Sequence, residues 1–388
     1  MSGQATPGPA AGPLSGLRVV ELGGVGPGPF AGMLLADLGA EVVRVDRPQE
    51  AGHGSAFPIL HRGRRSIAVD LKHPEGAEAV LRLIDTADAL IEGFRPGVTE
   101  RLGLGPEVCL ERNPRLAYGR MTGWGQDGPQ AQQPGHDLNY IALTGALHAI
   151  GPADGDPVVP LNLIGDFGGG GLLLAFGLAS AMLSAARTGR GQVVDAAMTD
   201  GSALLLAMTY GFLGQGVWTD RRGSNLLDGG APFYGVYRCA DGGHVSVGAI
   251  EPQFWSALLQ GLGLSEDPDF ADQQDRARWP LMRRRLEEVF AGRTRDAWAA
   301  HFAGTAACVV PVLSLREAPR HPHNVARGTY RTGPGGTTEP APAPRFSATP
   351  VGEPAPAPTV GADTDAVLAE AGLDAQSIAA LREKGVLA

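Results

Sequence analysis

Three short segments carry side chains that can take up and release protons. His136 lies beside Asp137 in the segment GHDLNY, Asp166 ends the segment NLIGD, and Glu251 opens the segment EPQF. The pKa of histidine lies near ~6.5, so an imidazole exchanges protons at neutral pH with little adjustment by its surroundings. Each residue also has an ordinary alternative: a histidine in a loop, an aspartate that caps a helix, and an acid at a helix start.

Four consecutive glycines at positions 168–171 follow Asp166 and open a long apolar segment. Glycine costs about 1 kcal/mol relative to alanine inside a helix, and an N-cap at Asp166 does not require it. We therefore expect an open helix start, whose backbone N–H groups and positive dipole end could stabilise a developing oxyanion such as an enolised carbonyl.

The turn GGVGPGP follows the first predicted strand and is typical of a nucleotide-binding loop. The spacing G-x-G-x-x-G fails, because Pro29 and Ala31 occupy the positions where the third glycine would stand. A nicotinamide cofactor is therefore not favoured. A phosphorylated adenosine could still lie at this turn, and a plain tight turn is the alternative.

Basic residues accumulate near the predicted strand ends of a chain that is acidic overall, with 32 Lys and Arg against 41 Asp and Glu and a net charge of −9. They are Arg47, Arg62, Arg64, Arg65, Lys72, Arg95 and Arg101. Each alone could be a solvated surface charge, but their shared placement favours an anionic ligand with several phosphates.

The sequence lacks the composition or motifs of several other functional classes. The acidic balance argues against a nucleic-acid binder, and the motifs G-x-S-x-G, H-E-x-x-H and the P-loop are absent. The three cysteines, Cys109, Cys239 and Cys308, are too far apart for a C-x-x-C metal or redox site. We expect no metal site, a cytoplasmic protein, and a loose tail over residues 1–13 instead of a signal peptide.

Apolar runs alternate with helical spacing in the first half of the chain. Strands are predicted over residues 17–22, 41–45, 66–71, 87–91, 116–121 and 192–196. This alternation predicts a doubly wound α/β domain with a parallel sheet. The uncharged stretch 167–186 is predicted to be a buried core helix and not a membrane span, because it opens with glycines and contains two serines.

The second half has a different pattern. A hairpin is predicted over residues 233–250, with helices over 251–261, 279–292 and 294–303, which together indicate a smaller α+β domain. One helix is expected over residues 200–214. Residues 333–358, rich in Pro, Ala, Gly and Thr, predict an extended connector, and a helical tail follows over 364–381.

Taken together, these segments resemble the family III CoA-transferases, and within them the α-methylacyl-CoA racemase branch. The resemblance runs through the segments LSGLRVVELGGVGPGPFAGMLLADLGAEVVRVDRP, RRSIAVDLKHPEG, IEGFRPGVTERLGLG, MTGWGQDGP, GHDLNY, LNLIGDFGGGG, GRGQVVDAAMTDG and AIEPQF. It implies a Rossmann-like large domain over residues 1–200 and 340–388, a linker helix over 201–225, a small α+β domain over 226–318 and a connector over 319–339. It also implies an interlocked homodimer with shared active sites.

The resemblance further implies the chemistry. In the racemases a His and an Asp, here His136 and Asp166, exchange a proton on the two faces of the carbon α to a CoA thioester, through an enolate. Glu251 would orient His136 from the partner subunit. In the transferase branch the acid matching Asp166 is instead a nucleophile that forms an aspartyl-CoA intermediate, and another residue usually stands at position 136.

The ligand follows from the same resemblance. An acyl-CoA thioester is the expected partner, with CoA as part of the substrate and no prosthetic group. CoA would place its adenine near Val25 and its phosphates near Arg47, Arg95 and Arg101. A CoA-binding scaffold without activity is a third alternative, which retention of both His136 and Asp166 argues against.

Overall fold

The computed structural model describes residues 12–388, so most of the tail predicted over residues 1–13 lies outside the described residues. The chain forms two compact units. The first comprises the described residues up to Thr144 together with Leu161–Leu205 and Gly328–Ala388. The second comprises Gly145–Pro160 and Leu206–Arg327.

The strands are short and regularly spaced along the chain. They are β1 (Arg18–Leu22), β2 (Glu41–Asp46), β3 (Arg64–Ala68), β4 (Ala89–Glu92), β5 (Ala117–Thr122), β6 (Gln192–Ala197), β7 (Tyr234–Arg238), β8 (His244–Gly248), β9 (Val309–Pro311), β10 (Tyr330–Thr332) and β11 (Thr338–Pro340). The six predicted strands of the first unit and the predicted hairpin of the second are confirmed.

The α-helices fall between these strands and after them. They are α1 (Pro27–Asp37), α2 (Pro74–Ile84), α3 (Val98–Arg101), α4 (Pro106–Arg112), α5 (Asp137–Leu143), α6 (Ala146–Ala149), α7 (Leu173–Thr188), α8 (Met198–Leu205), α9 (Ala207–Gly214), α10 (Pro252–Leu262), α11 (Trp279–Phe290), α12 (Arg295–Phe302), α13 (Pro322–Arg327), α14 (Thr364–Glu370) and α15 (Ala375–Glu383).

The first unit is built on a six-stranded sheet in the order β3-β2-β1-β4-β5-β6, and every neighbouring pair is parallel. This is the strand order of the Rossmann fold, and it confirms the predicted α/β class. Alternate residues of β1 point to opposite faces, so Val20 packs in one hydrophobic cluster and Val19 in another.

The last residues of the chain complete the first of these clusters. Leu368 of α14 and Leu381 of α15 pack with Val20 and with Val80 of α2. The same C-terminal segment covers the edge strand β3: Asp363 accepts a hydrogen bond from Ser66 N–H, and Thr364 Oγ1 accepts one from Ala68 N–H. An edge strand covered in this way cannot pair with another chain.

The second unit has an antiparallel sheet in the order β7-β8-β9. Helices α10, α11 and α12 supply an aromatic core, in which Phe233 contacts both Trp255 and Trp279 edge to face, with ring centroids 5.7 and 5.6 Å apart. The three helices predicted for this region are confirmed.

Three helix predictions are wrong in detail. The core helix expected over residues 167–186 begins earlier, as a π-helix over Leu163–Leu172 that continues into α7. The single helix expected over residues 200–214 is divided into α8 and α9 at Leu206, whose φ and ψ of −88° and 7° leave the helical region. The C-terminal helix is divided because Gly372, with φ +87°, ends α14 in the left-handed conformation.

One continuous helical stretch of the described residues, Leu163–Thr188, is long and apolar enough to cross a membrane by length and composition alone, and half of its most apolar window is buried. A core helix of a soluble protein has the same properties.

The Pro-rich residues 333–358 include β11, which pairs with β10, and Ala355 O accepts a hydrogen bond from Gly63 N–H.

Candidate active site

The first unit has a crevice where the strand order reverses. Strands β1 and β4 are neighbours, and in an open parallel sheet ligands bind beyond the carboxyl ends of such a pair. A cavity of about 1220 Å³ lies there. Its walls include Gly23 and Gly24 after β1, Asp46 at the end of β2, and Phe94 after β4.

Two of the four residues predicted to bind CoA, Val25 and Arg47, line this cavity. The other two, Arg95 and Arg101, are exposed on residues 93–102, the segment that follows β4, but are not among the lining residues. Of that segment, Phe94, Val98 and Leu102 form one wall. The guanidinium groups of Arg47, Arg95 and Arg101 make no hydrogen bond or ion pair with any described residue.

Three other arginines already have carboxylate partners in the fold, which corrects their grouping as free phosphate-binding candidates. Arg62 pairs with Asp37, with 2.6 Å between Nη2 and Oδ2. Arg64 pairs with Glu21, and neither side chain is exposed. Arg65 pairs with Glu41 and Glu370. Carboxylates satisfy these cations inside the fold, a contact that spacing along the sequence does not reveal.

The structure brings the His136 and Asp166 segments together. His136 is the N-cap of α5, and its backbone N–H donates to the side chain of Asn139. The next residue, Asp137, is buried, and its Oδ2 accepts a hydrogen bond of 2.7 Å from the backbone N–H of Asp166. The turn that carries the His136 imidazole is therefore hydrogen-bonded directly to the backbone of Asp166.

Asp166 is half-buried at the start of the π-helix. Asn162 Nδ2 donates to its Oδ2 over 2.9 Å, and a side chain at Gly26 would meet the same oxygen at 3.4 Å. Burial raises the pKa of the Asp166 carboxyl and the charge of Asp137 raises it further, whereas the Asn162 hydrogen bond and nearby His136 lower it. The net raised pKa suits a group that must both hold and release a proton.

The glycine run does not leave open space, which corrects the prediction of an unobstructed helix start. A Cβ at Gly169 would lie 2.6 Å from Ser202 N, and one at Gly171 would lie 2.5 Å from Pro27 O. The glycines allow the backbones of α8 and α1 to pack against the π-helix. The N–H of Asp166 is also occupied, because it donates to Asp137.

Tyr140 fixes the loop that precedes His136. Its ring packs edge to face on Trp124 with centroids 4.7 Å apart, and its hydroxyl donates to Gly135 O. Burial and the nearby Asp166 carboxylate raise the pKa of the phenol, whereas Arg95 lowers it. Tyr140 therefore holds the loop before His136 through a ring contact and a hydrogen bond.

Sequence reasoning missed the roles of Asp137 and Tyr140, although both stand in the segment GHDLNY. The only signal in the sequence was that both stand in one short motif with His136, but the contact of Asp137 with residue 166 depends on the fold.

Glu251 lies in the second unit, where it is exposed as the N-cap of α10. Its predicted contact with His136 stays a prediction. In residues 12–388, no group of three or more His, Cys, Asp or Glu side chains is placed to hold a metal ion.

The fold and this site define a class of α/β proteins with a nucleotide-type crevice and, in the same unit, an imidazole-bearing turn hydrogen-bonded to Asp166. Comparison with known proteins places the chain within that class. The chain belongs to CoA-transferase family III, whose family model matches residues 14–364.

Individual relatives cover nearly the whole chain. Alpha-methylacyl-CoA racemase of Mus musculus is 46% identical over 375 residues, which are 96% of this chain and 97% of the relative. The Homo sapiens racemase is 45% identical over 380 residues, with the same coverage. A crystal structure of a CaiB/BaiF family protein from Brucella suis matches with a TM-score of 0.80 and 28% identity, covering 93% of this chain and all of that one.

Proposed function

We propose that this protein is an α-methylacyl-CoA racemase, an isomerase that inverts the carbon α to the thioester of a 2-methylacyl-CoA. The observation that carries the proposal is the attachment of the His136 turn to Asp166 through Asp137. This bond connects the turn that carries His136 to Asp166, and burial raises the pKa of the Asp166 carboxyl. The identity to two racemases supports the same function.

The proposed reaction is a proton transfer between two faces of one carbon. One of the pair, His136 or Asp166, removes the α-proton, and the C–H electron pair forms a double bond to the thioester carbon while the thioester oxygen takes the negative charge. The other then delivers a proton to the opposite face, and the electron pair returns to the α-carbon.

We propose that CoA binds in the cavity of the first unit as part of the substrate. Val25 would contact the adenine, and the unpaired guanidinium groups of Arg47, Arg95 and Arg101 would bind the phosphates. The α-carbon chemistry needs an acid, a base and an oxyanion site, so no prosthetic group is required. We place the reaction in the cytoplasm, where the free thiols of Cys109, Cys239 and Cys308 would stay reduced.

We further propose an interlocked homodimer, in which Glu251 of one subunit orients His136 of the other. Apolar surface supports this assembly: α9 buries none of its residues, and Met208 and Tyr210 on it are 57% and 54% exposed. In the first unit, Leu204 and Phe176 are 63% and 69% exposed. Sedimentation equilibrium should give a dimer, and a monomer at micromolar concentration would contradict this part of the proposal.

The α-proton exchange assay tests the proposed function. Incubation with one enantiomer of a 2-methylacyl-CoA in D₂O should introduce deuterium at the α-carbon and yield both enantiomers. His136→Ala should abolish exchange from one enantiomer more than from the other, and Asp166→Ala should show the opposite preference. Retention of both the α-proton and the configuration would refute the racemase, and equal residual rates from the two enantiomers would refute the two-face assignment.

Transfer of CoA between carboxylic acids is the second candidate, because the chain belongs to a family named for it. In that reaction the Asp166 carboxylate attacks the acyl-CoA carbonyl, which gives a mixed anhydride and CoA thiolate. The thiolate then attacks the aspartyl carbonyl, which releases the donor acid as a free carboxylate and leaves an aspartyl thioester of CoA. The acceptor carboxylate takes up CoA by the reverse of these steps. Hydroxylamine would trap such an intermediate at Asp166 during turnover with a free acid. His136 beside Asp166 favours the racemase, and CoA binding without exchange or transfer would indicate a scaffold.

A further inference from the structure

A chain of ion pairs contacts the segment of residues 93–102, which supplies one wall of the cavity. Glu92 at the end of β4 is fully buried and faces Arg120 in register on β5. Arg120 Nε donates to Glu92 Oε1 over 2.8 Å, and Arg120 Nη1 donates to Glu100 Oε1 over 2.8 Å. One guanidinium therefore joins two carboxylates, one before the segment and one inside it.

Each carboxylate is also bonded to the segment itself. Glu92 Oε2 accepts a hydrogen bond of 2.8 Å from the N–H of Phe94, and Glu100 Oε2 accepts one from the hydroxyl of Thr99. Thr99 is fully buried, and a Cβ at Gly105 would meet Glu100 at 3.0 Å, so this side chain has a defined place. The cluster Glu92–Arg120–Glu100, called the β4–β5 clamp below, thus holds both ends of the segment.

The segment that the clamp holds carries the groups that face a ligand. Phe94, Val98 and Leu102 line the cavity, while Arg95 and Arg101 project from the same segment without a carboxylate partner. Arg101 is adjacent to Glu100, and Arg95 is adjacent to Phe94. A guanidinium on a short exposed segment binds a phosphate tightly only if its backbone is held in advance, because otherwise binding must order it.

We infer that Arg120, through the β4–β5 clamp, is a positioning residue for the nucleotide end of the thioester. It would act on binding through Arg95 and Arg101, without contact with the substrate or the reacting carbon. This inference rests on the proposed function, since it takes an acyl-CoA as the ligand. It predicts that damage to the clamp weakens recognition of the phosphates and leaves the acid–base step intact.

Glu100→Ala is the most suitable variant, because Glu100 is 45% exposed and its loss leaves the Arg120–Glu92 pair in place. Glu78→Ala is a matched control. Glu78 is 48% exposed and pairs with Arg112, which also pairs with Asp85, so the control removes the same kind of contact elsewhere on the first unit. Neither residue lines the cavity.

Glu100→Ala should raise KM for a 2-methylacyl-CoA by about three- to ten-fold, the effect of about one ordinary hydrogen bond, with kcat unchanged within about twofold. The S-(2-methylacyl)pantetheine thioester lacks the nucleotide, and kcat/KM for it should not change. Glu78→Ala should change neither KM for the CoA thioester nor kcat/KM for the pantetheine thioester. An unchanged KM for the CoA thioester, or an equal loss with both thioesters, would overturn the inference.

Calorimetric titration with free CoA separates this inference from the proposed function. Glu100→Ala should weaken the Kd of CoA by the same factor as KM, whether or not the wild-type protein exchanges α-protons. An identical Kd in the two proteins would overturn the clamp, whereas absence of exchange alone would overturn only the racemase. Arg120→Lys provides a second variant if Glu100→Ala unfolds, and it should show the same contrast between the two thioesters.

Discussion

A single carboxylate, that of Asp137, joins the two segments that carry the proposed acid and base. One of its oxygens binds the backbone of Asp166, and the other, Oδ1, is buried without a hydrogen-bond partner among the described residues. No donor among the described residues satisfies this oxygen, so the charge of the Asp137 carboxylate acts on nearby groups. It raises the pKa of Asp166, so it affects the proton affinity of that group as well as its position.

Replacement of Asp137 by Asn should lower the pKa of Asp166. The amide oxygen can still accept the N–H of Asp166, but the repulsion between two carboxylates is removed. A carboxyl of lowered pKa holds its proton only in more acidic solution. For the enantiomer whose α-proton Asp166 removes, the acidic limb of the pH profile of kcat for exchange should therefore move to lower pH. Exchange measured between pH 4 and pH 8 checks the shift.

The exposed Asp156, which belongs to the second unit, provides a control for this substitution. Asp156→Asn should leave the pH profile unchanged, because this carboxylate is not among the groups that shift the pKa of Asp166. A profile of Asp137→Asn that coincides with that of the wild-type protein would contradict a direct effect of Asp137 on Asp166.

The residue types at the site were readable from the sequence, but their contacts were not. His136 and Asp166 stand out because an imidazole and a carboxylate lie in short polar segments beside glycines. Nothing in those segments indicates that Asp137 turns toward residue 166, or that Arg64 pairs with Glu21 instead of a ligand. Both facts depend on which strands and turns become neighbours.

Strands and helices differ in how far the sequence determines them. The central strands of the first unit are buried on both faces, as in β4, where all four residues are buried, so they stand out as largely apolar runs. The π-helix could not be distinguished from an α-helix in the sequence, because its hydrogen-bond spacing depends on how it packs in the fold. Helix α8 packs directly on its glycines, and a Cβ at Gly201 would lie 1.8 Å from Gly169 O.

Gly201→Ala should therefore destabilise the first unit. The new methyl group meets the backbone of the π-helix, which cannot move aside as a flexible side chain would, and such overpacking costs about 1–3 kcal/mol. Equilibrium unfolding in urea measures the loss. The same substitution at Gly211 of α9 meets no atom within 4 Å and should be neutral or slightly stabilising. Equal stabilities of the two variants would contradict close packing at Gly201.

At the scale of the whole molecule, the first unit is discontinuous and the second is inserted in it. Residues from the end of the chain share a core with residues from its beginning, and buried ion pairs add to this contact. Arg62, which pairs with Asp37 of α1, also approaches Glu339 of β11, with 3.5 Å between Nη1 and Oε2. The Pro-rich composition of residues 333–358 predicted an extended connector, but it gave no indication that Glu339 would contact Arg62.

Leu368→Ala should destabilise the first unit although it lies far along the chain from the sheet. Leu368 is fully buried, and truncation of a buried leucine to alanine costs about 2–5 kcal/mol. The transition of the first unit in urea should move to lower concentration. Leu315, 93% exposed in the second unit, gives the control, and Leu315→Ala should leave both transitions in place. An unchanged first transition in Leu368→Ala would show that α14 contributes little to the core.

The bridge between Val69 and Leu387 bears on how the protein is made. A ribosome releases the chain from its N-terminus, so every strand of the large sheet emerges long before the segment that shields its β3 border. Until residues 364–387 have emerged, that border and the apolar surface beneath α14 stay open to solvent or to a chaperone, while the inserted unit already has all its residues. The large unit is therefore completed after the inserted unit, and a chain truncated before Thr364 would be a half-shielded, aggregation-prone product.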